Sequence, residues 1–153
     1  DEAKKKHPGV NFTEGDATKL PFPDNSFDIA YSFAVIHHVP SRRLRGEFIR
    51  EAARVLHPGN TLIITSWYLW RPRYLGKLLL SSLRSMLLLS PLDLGDMMHT
   101  FGKERHSRYL HAFTERGLRR LLEKNGFEVV GSEIASRSSG SGEQNILVIA
   151  RKK

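Results

Sequence analysis

The stretch EGDATKLPFPDNSFDIAYSFAVIHHV, Glu14 to Val39, gathers side chains able to do chemistry. It holds a carboxylate directly after a glycine, a serine near the end of an apolar run, and adjacent His37 and His38. Histidine titrates near neutral pH, so His37 is the candidate catalytic base. The alternative is a ring that packs in the interior or opens a helix. Asp16 equally suits a turn, where Asp bonds the backbone ahead of it. A neighbouring histidine pair lacks the further ligands of a metal site, and no metal is expected. A second group lies downstream. Arg71, Arg73, Lys77 and Arg84 accompany Trp70, Tyr74 and several leucines; Lys103, Arg105, Arg108, Arg116, Arg119 and Arg120 accompany Tyr109 and His111. Such a surface could bind phosphates while a ring stacks on a base, or be an ordinary solvated basic face.

The elements that must position these groups follow a clear rhythm. Val10 to Glu14 reads as a short strand after the Pro8-Gly9 turn. Phe27 to Ile36, apolar and rich in strand formers, suits a strand covered on both faces. From Ser41, a candidate N-cap, Leu44, Phe48, Ala52, Val55 and Leu56 recur at helical spacing until Pro58-Gly59. Thr61 to Trp67 is the next buried strand, and an irregular basic segment follows it. Thr114 can cap a helix whose inner face is Leu118, Leu121 and Leu122, with Gly126 as its left-handed terminator. FEVVGSEIA and NILVIARKK are the last strands, adjacent and suited to antiparallel pairing. This alternation predicts an α/β fold in one domain, 1–153, with no internal repeat.

The chain is long enough for one core: 153 residues, 40% hydrophobic. It has no cysteine, which excludes disulfides and thiolate metal sites, and a cytoplasmic setting is expected. A net charge of +8 and a pI near 10 favour anionic partners. The start DEAKKKHPG is charged, does not read as a signal peptide, and lacks an initiating Met, as in a fragment or processed chain. Leu75 to Leu92 is the most apolar segment, but Lys77, Arg84 and its serines make it a poor membrane span.

GDATKLPFPDNSFDIAYSFAVIHHV, EAARVLHPGNTLIITSW and HAFTERGLRRLLEKNGFEVV together resemble the class I S-adenosylmethionine-dependent methyltransferases, of the type 11 kind. The resemblance covers the chain apart from about 68–107, which reads as an insertion, and Asn60 stands where a second glycine is common. It implies a Rossmann-like sheet of order 3-2-1-4-5-7-6 with an antiparallel C-terminal strand. The family's first two strands and glycine-rich loop match nothing in residues 1–153, so the expected sheet lacks them. The strand at Phe27 to Ile36 would then expose a long apolar edge, leaving the chain marginal or the segment Val10 to Glu14 displaced, and the chain by itself is expected to be weakly active or inactive.

The resemblance further implies that S-adenosyl-L-methionine is the cofactor. Asp16 would accept from the adenine amino group and the Ala17 N–H would meet a ring nitrogen, with Leu20 and Phe22 as the apolar floor. Ser32 and Phe33 would approach the methionine part, since open α/β sheets place ligands at strand carboxyl ends. His37 would line the methyl channel or act as base, while Asp28 is structural. A sulfonium methyl is already activated, so the protein chiefly holds a nucleophile in line.

RYLHAFTERGL is similar to a segment of the tRNA wobble-uridine methyltransferases, which esterify a carboxymethyl group. That resemblance implies Arg108, Tyr109, His111 and Trp67 as substrate-binding residues, with tRNA and a helper subunit as partners. The alternatives are a small or lipid-like acceptor, with 75–92 as a lid or membrane-surface contact, and a non-catalytic fragment that binds a partner through its open sheet edge.

Overall fold

The computed structural model describes residues 2–87, 92–101, 106–136 and 144–153. Its helices are α1 (Glu2–Lys6), α2 (Arg42–Val55), α3 (Pro72–Met86) and α4 (Glu115–Lys124). Its strands are β1 (Phe27–Phe33), β2 (Leu56–Trp67), β3 (Asp96–Phe101), β4 (His106–His111), β5 (Phe127–Ser136) and β6 (Gln144–Lys152). Four strands form one sheet in the order β1-β2-β6-β5, with β1 and β2 parallel and the other pairings antiparallel. That is the 4-5-7-6 half of the order the resemblance implies. β3 and β4 form a separate hairpin.

Local chemistry accounts for the boundaries. Ser41 caps α2, its hydroxyl accepting from the Leu44 N–H. The helix ends at Val55, a residue earlier than its apolar spacing suggested, because Pro58 disfavours helical backbone just before it. Leu56 instead opens β2 opposite Phe27 and is fully buried. The ladder resumes at Ile29 and Thr61, so His57 to Asn60 bulge out around Gly59, whose φ is 79°. Asn60 has a use there, its Nδ2 donating to Asp28 Oδ1 at 2.9 Å. Thr114 caps α4 by accepting from the Gly117 N–H, and Gly126 takes φ 98° one residue past the C-cap.

One face of the sheet carries the core. Leu62, Ile64, Ile146, Val148 and Ala150 pack against Phe48, Ile49 and Ala52 of α2 and Leu118 and Leu122 of α4. A second cluster joins Leu69, Tyr74 and Leu78 to Met97, Leu110 and Ala112, holding α3 on the hairpin. Among the described residues little covers the opposite sheet face, where Ile29, Tyr31, Phe33 and Ile149 are exposed. β1 is an edge strand, as expected, with its apolar side chains in solvent.

Three expectations need correction. Phe27 to Ile36 is not a strand covered on both faces: β1 stops at Phe33 because the chain turns at Ala34, and Ile29, Tyr31 and Phe33 stand in solvent. Val10 to Glu14 forms no strand and is exposed, because no neighbour offers it a hydrogen-bond ladder. The basic segment after Trp67 is not irregular, since it supplies α3 and the β3–β4 hairpin. Lys103, Arg105 and most of the loop before Gln144 lie outside the described residues.

Candidate functional site

The site assembles where β1 and β2 end. After Phe33 the chain turns sharply: Ala34 takes φ 55°, uncommon for a residue with a Cβ, and its N–H donates to Thr65 Oγ1 at 3.0 Å. A 3-10 turn, Ile36–His38, follows. Ile36 drops into the main core, which draws His37 inside with it.

His37 is fully buried and stacks on Trp67, ring centroids 4.7 Å apart at 29°. Its Nδ1 accepts from the Trp67 N–H at 3.3 Å, so the ring proton sits on Nε2. Burial, reinforced by the adjacent His38, lowers its pKa to about 3. The expected base is therefore a neutral ring whose lone pair is already engaged, and the packing alternative describes its environment better. His38 is held by Nδ1–H donation to the Tyr109 carbonyl at 3.2 Å.

Behind this shelf lies a buried polar network that sequence inspection did not anticipate. Arg45, only 4% exposed in its side chain, donates to Asp93 Oδ2 at 3.1 Å, to Asp96 Oδ1 at 3.4 Å, to the Tyr109 hydroxyl at 2.5 Å and to the Val39 carbonyl. Asp96 also receives the His111 Nδ1–H at 2.6 Å and the Asp93 N–H at 2.9 Å. Burial pushes the Asp96 carboxyl up, but hydrogen bonds from His111 and Tyr109, with the charges of His111 and Arg45, outweigh it and hold it below the usual carboxylate range. Burial and the bond to Asp96 raise the Tyr109 phenol. With Nδ1 committed to Asp96, His111 keeps Nε2 for an outside proton, the arrangement of an oriented base. The signal that could have found Asp96 was the pair Asp93 and Asp96, two acids just before Met97 and Met98 in an otherwise apolar stretch.

Asp16 is exposed, and its Oδ1 accepts both the N–H and the hydroxyl of Thr18 at 2.8 Å, which lowers its pKa. The described bonds use one oxygen only and leave Oδ2 for another donor. Ala17 packs on the main core and Leu20 is half-buried. A clamp from α2 fixes this loop. Arg54 donates to the carbonyls of Leu20 and Phe22 and to Asp24, and Glu51 accepts the Leu20 N–H. Glu51 and Arg54 also pair with each other, a bond that lowers the Glu51 carboxyl's pKa. This clamp too was missed, although EAAR places both charges on one helix flank. Phe22, expected beside the adenine, instead packs edge-on against Phe27 at 4.9 Å, at the amino end of β1.

The structure thus brings His37, Trp67, Tyr109 and His111 into one cluster. Arg108 is exposed, and strand alternation places it on the other side of β4 from Tyr109 and His111. Phe33 is exposed, while Ser32 is buried. Ser32 Oγ and His37 Nε2 have no hydrogen-bond partner among the described residues, as at an edge where a ligand supplies one. The open oxygen of Asp16 and these two partnerless atoms suit, each by its own chemistry, the polar groups of a ligand such as a nucleoside. A depression of about 260 Å³ lined by Gly131, Ser132, Glu133, Leu147 and Ile149 lies elsewhere, out on β5 and β6. Among the described residues no three His, Cys, Asp or Glu side chains group to hold a metal.

Residues 1–64 match the family described as a methyltransferase domain. A protein of Encephalitozoon cuniculi named as a methyltransferase is 30% identical over 148 residues, 94% of this chain and 61% of that protein. The phthiotriol/phenolphthiotriol dimycocerosates methyltransferase of Mycobacterium tuberculosis is 45% identical over 59 residues, 37% of this chain and 21% of that protein. The crystal structure of a SAM-dependent methyltransferase from Methanosarcina mazei superimposes with a TM-score of 0.77 at 25% identity, covering 99% of this chain and 74% of that one. The chain spans 61% of the Encephalitozoon protein's length and much less of the mycobacterial one's. Its fold is the Rossmann-like α/β fold of the class I methyltransferases, whose cofactor is S-adenosylmethionine.

Proposed function

We propose that this chain carries out S-adenosylmethionine-dependent methyl transfer to a lipid-like acceptor bearing a hydroxyl, with His111 rather than His37 as the base. The observation that carries the reading is the β1-β2-β6-β5 order with the Gly15-Asp16-Ala17 turn ahead of β1 and the His37–His38 turn behind it. Fold alone does not fix a reaction, so the roles rest on individual side chains.

When bound, the cofactor supplies an activated methyl group. Asp16 Oδ2 would accept from its amino group, Ala17 would offer its N–H, and Leu20 would give an apolar surface. Ser32 and Phe33, at the end of β1, would flank it, with Ser32 Oγ and His37 Nε2 the polar atoms there still without a partner among the described residues. Asp96 fixes the tautomer of His111, whose Nε2 takes the acceptor's proton as oxygen becomes nucleophilic. Trp67, stacked on His37, and Tyr109 set the walls. The bare leucines of α3, bonded to the site through Ser81 Oγ–H donating to the Asp96 carbonyl at 2.5 Å, favour an apolar acceptor. The acceptor named for the mycobacterial relative is consistent with that.

A second reading is a carboxymethyl-modified wobble uridine in tRNA, favoured by the net charge of +8 and the exposed Arg108. It needs no base, because a carboxylate is already nucleophilic. Salt separates the two: tRNA binding weakens steeply with ionic strength, whereas an apolar acceptor is nearly indifferent.

Calorimetric titration of S-adenosylhomocysteine tests the cofactor half. The chain binds it, and Asp16→Ala weakens binding by about tenfold or more, as loss of a charge-assisted bond requires. Equal affinity of the two proteins removes Asp16 from the site, and no binding by either removes the cofactor role from residues 1–153.

A further inference from the structure

α3 is amphipathic in two directions. Tyr74 and Leu78 are buried against the hairpin, as its fold requires. The outer surface nonetheless carries Leu79, Leu80, Leu83 and Met86, and Leu87 at its C-cap, each more than half exposed, between 53% and 71%. At 100° per residue these fall within roughly 120° of the helix circumference. Arg73, Lys77 and Arg84 follow within about the next 60°, and PRYLGKLLLSSLRSM contains no acidic residue. Leu94 and Met98 of the adjoining segment are also exposed, by 61% and 50%.

We infer that α3 is a membrane-surface helix, lying with its leucines in the acyl boundary of an anionic bilayer and its cationic flank among the headgroups. Among the described residues nothing packs on this apolar stripe, although the helix already buries its other face, and exposed patches of this kind mark interaction sites. The charge pattern selects the partner. A second protein would need an apolar groove edged with acids, whereas an anionic bilayer presents apolar depth and negative headgroups along any orientation. No described helix is long and apolar enough to cross a membrane, so the contact is in the interface plane. Ser81, on the side of α3 turned away from the stripe, ties the helix to Asp96 and His111, so docking here brings those residues to within a helix diameter, ~10 Å, of the lipid boundary. The inference thereby deepens the reading above by naming where an apolar acceptor is drawn from, yet its test needs neither cofactor nor catalysis.

The experiment is co-sedimentation of the chain with vesicles of phosphatidylcholine alone and with one third phosphatidylglycerol, at low and high salt. The wild-type chain partitions onto the anionic vesicles at least tenfold more strongly than onto the neutral ones. The triple variant Leu79→Ser, Leu83→Ser, Met86→Ser loses binding to both, and Lys77→Glu with Arg84→Glu loses the preference for negative charge. All substituted side chains are exposed, and circular dichroism with thermal melting verifies that each variant folds as wild type. Equal partitioning of wild type and leucine variants overturns the inference. So does a sedimentation-velocity result in which the leucine changes abolish self-association while vesicle binding persists, since the stripe then pairs two copies. Loss of S-adenosylhomocysteine binding in any variant is a separate readout and bears on the cofactor reading alone.

Discussion

Acidification should expose the buried state of His37. Its folded pKa, lowered to about 3 by burial and then by His38, lies well below the ordinary histidine value of 6.5. Between those values the unfolded chain binds a proton that the folded chain refuses, so stability falls as pH drops from about 6.5 and stops falling near 3. Each unit of difference is worth about 1.4 kcal/mol, so lowering the pH from 7.5 to 5 removes about 2 kcal/mol through this ring alone. Urea denaturation at both pH values measures it, and with ordinary urea sensitivity the loss is a midpoint shift of about 1 M. Other groups titrate too, so the control is His37→Phe, which keeps a ring against Trp67 and cannot titrate. The difference between wild type and variant should shrink by about 2 kcal/mol at pH 5, contributions from distant groups cancelling in the subtraction. An unchanged difference would mean that His37 takes up its proton as readily folded as unfolded. That would restore it as a candidate base.

Arg45→Met should destabilise the chain by roughly 3–5 kcal/mol in urea, because it leaves Asp96 and Tyr109 buried without their guanidinium; a loss under about 1 kcal/mol would deny Arg45 its place at the hub. Arg54→Ala should leave the far-ultraviolet spectrum unchanged but speed tryptic cleavage at the exposed Lys19, since the loop loses its bonds to Leu20, Phe22 and Asp24. An added Cβ at Gly15 would sit 2.7 Å from Pro21 Cδ, so Gly15→Ala should cost roughly 1–3 kcal/mol and weaken S-adenosylhomocysteine binding. Gly9→Ala, with open space around it, should do neither.

The sequence alone determined the elements whose signals are local. Ser41 and Thr114 cap helices because a hydroxyl before an apolar-periodic run has an unpaired N–H within reach. Gly126 ends α4 because it alone tolerates the required positive φ cheaply. The long apolar runs become β1, β2 and β6, and the resemblance placed them in the right order with a bare edge beside β1. Asp16 was legible as a turn-former, and it is one.

Tertiary structure decided what depends on partners distant in sequence. Val10 to Glu14 carries strand-forming residues but no neighbouring ladder, and a strand cannot exist without one. Phe22 pairs with Phe27, and the Glu51–Arg54 clamp closes only when α2 lies over the loop. Histidine type singled out His37, but burial silenced it, while a hairpin hidden in a segment without strong periodicity placed Asp96 against His111. Whether an imidazole is a base or a core ring is set by what surrounds it: desolvation penalises the charged form of His37, and a carboxylate at hydrogen-bond distance fixes which nitrogen of His111 carries the proton. Residue type cannot carry that information, because the deciding neighbours come from other parts of the chain.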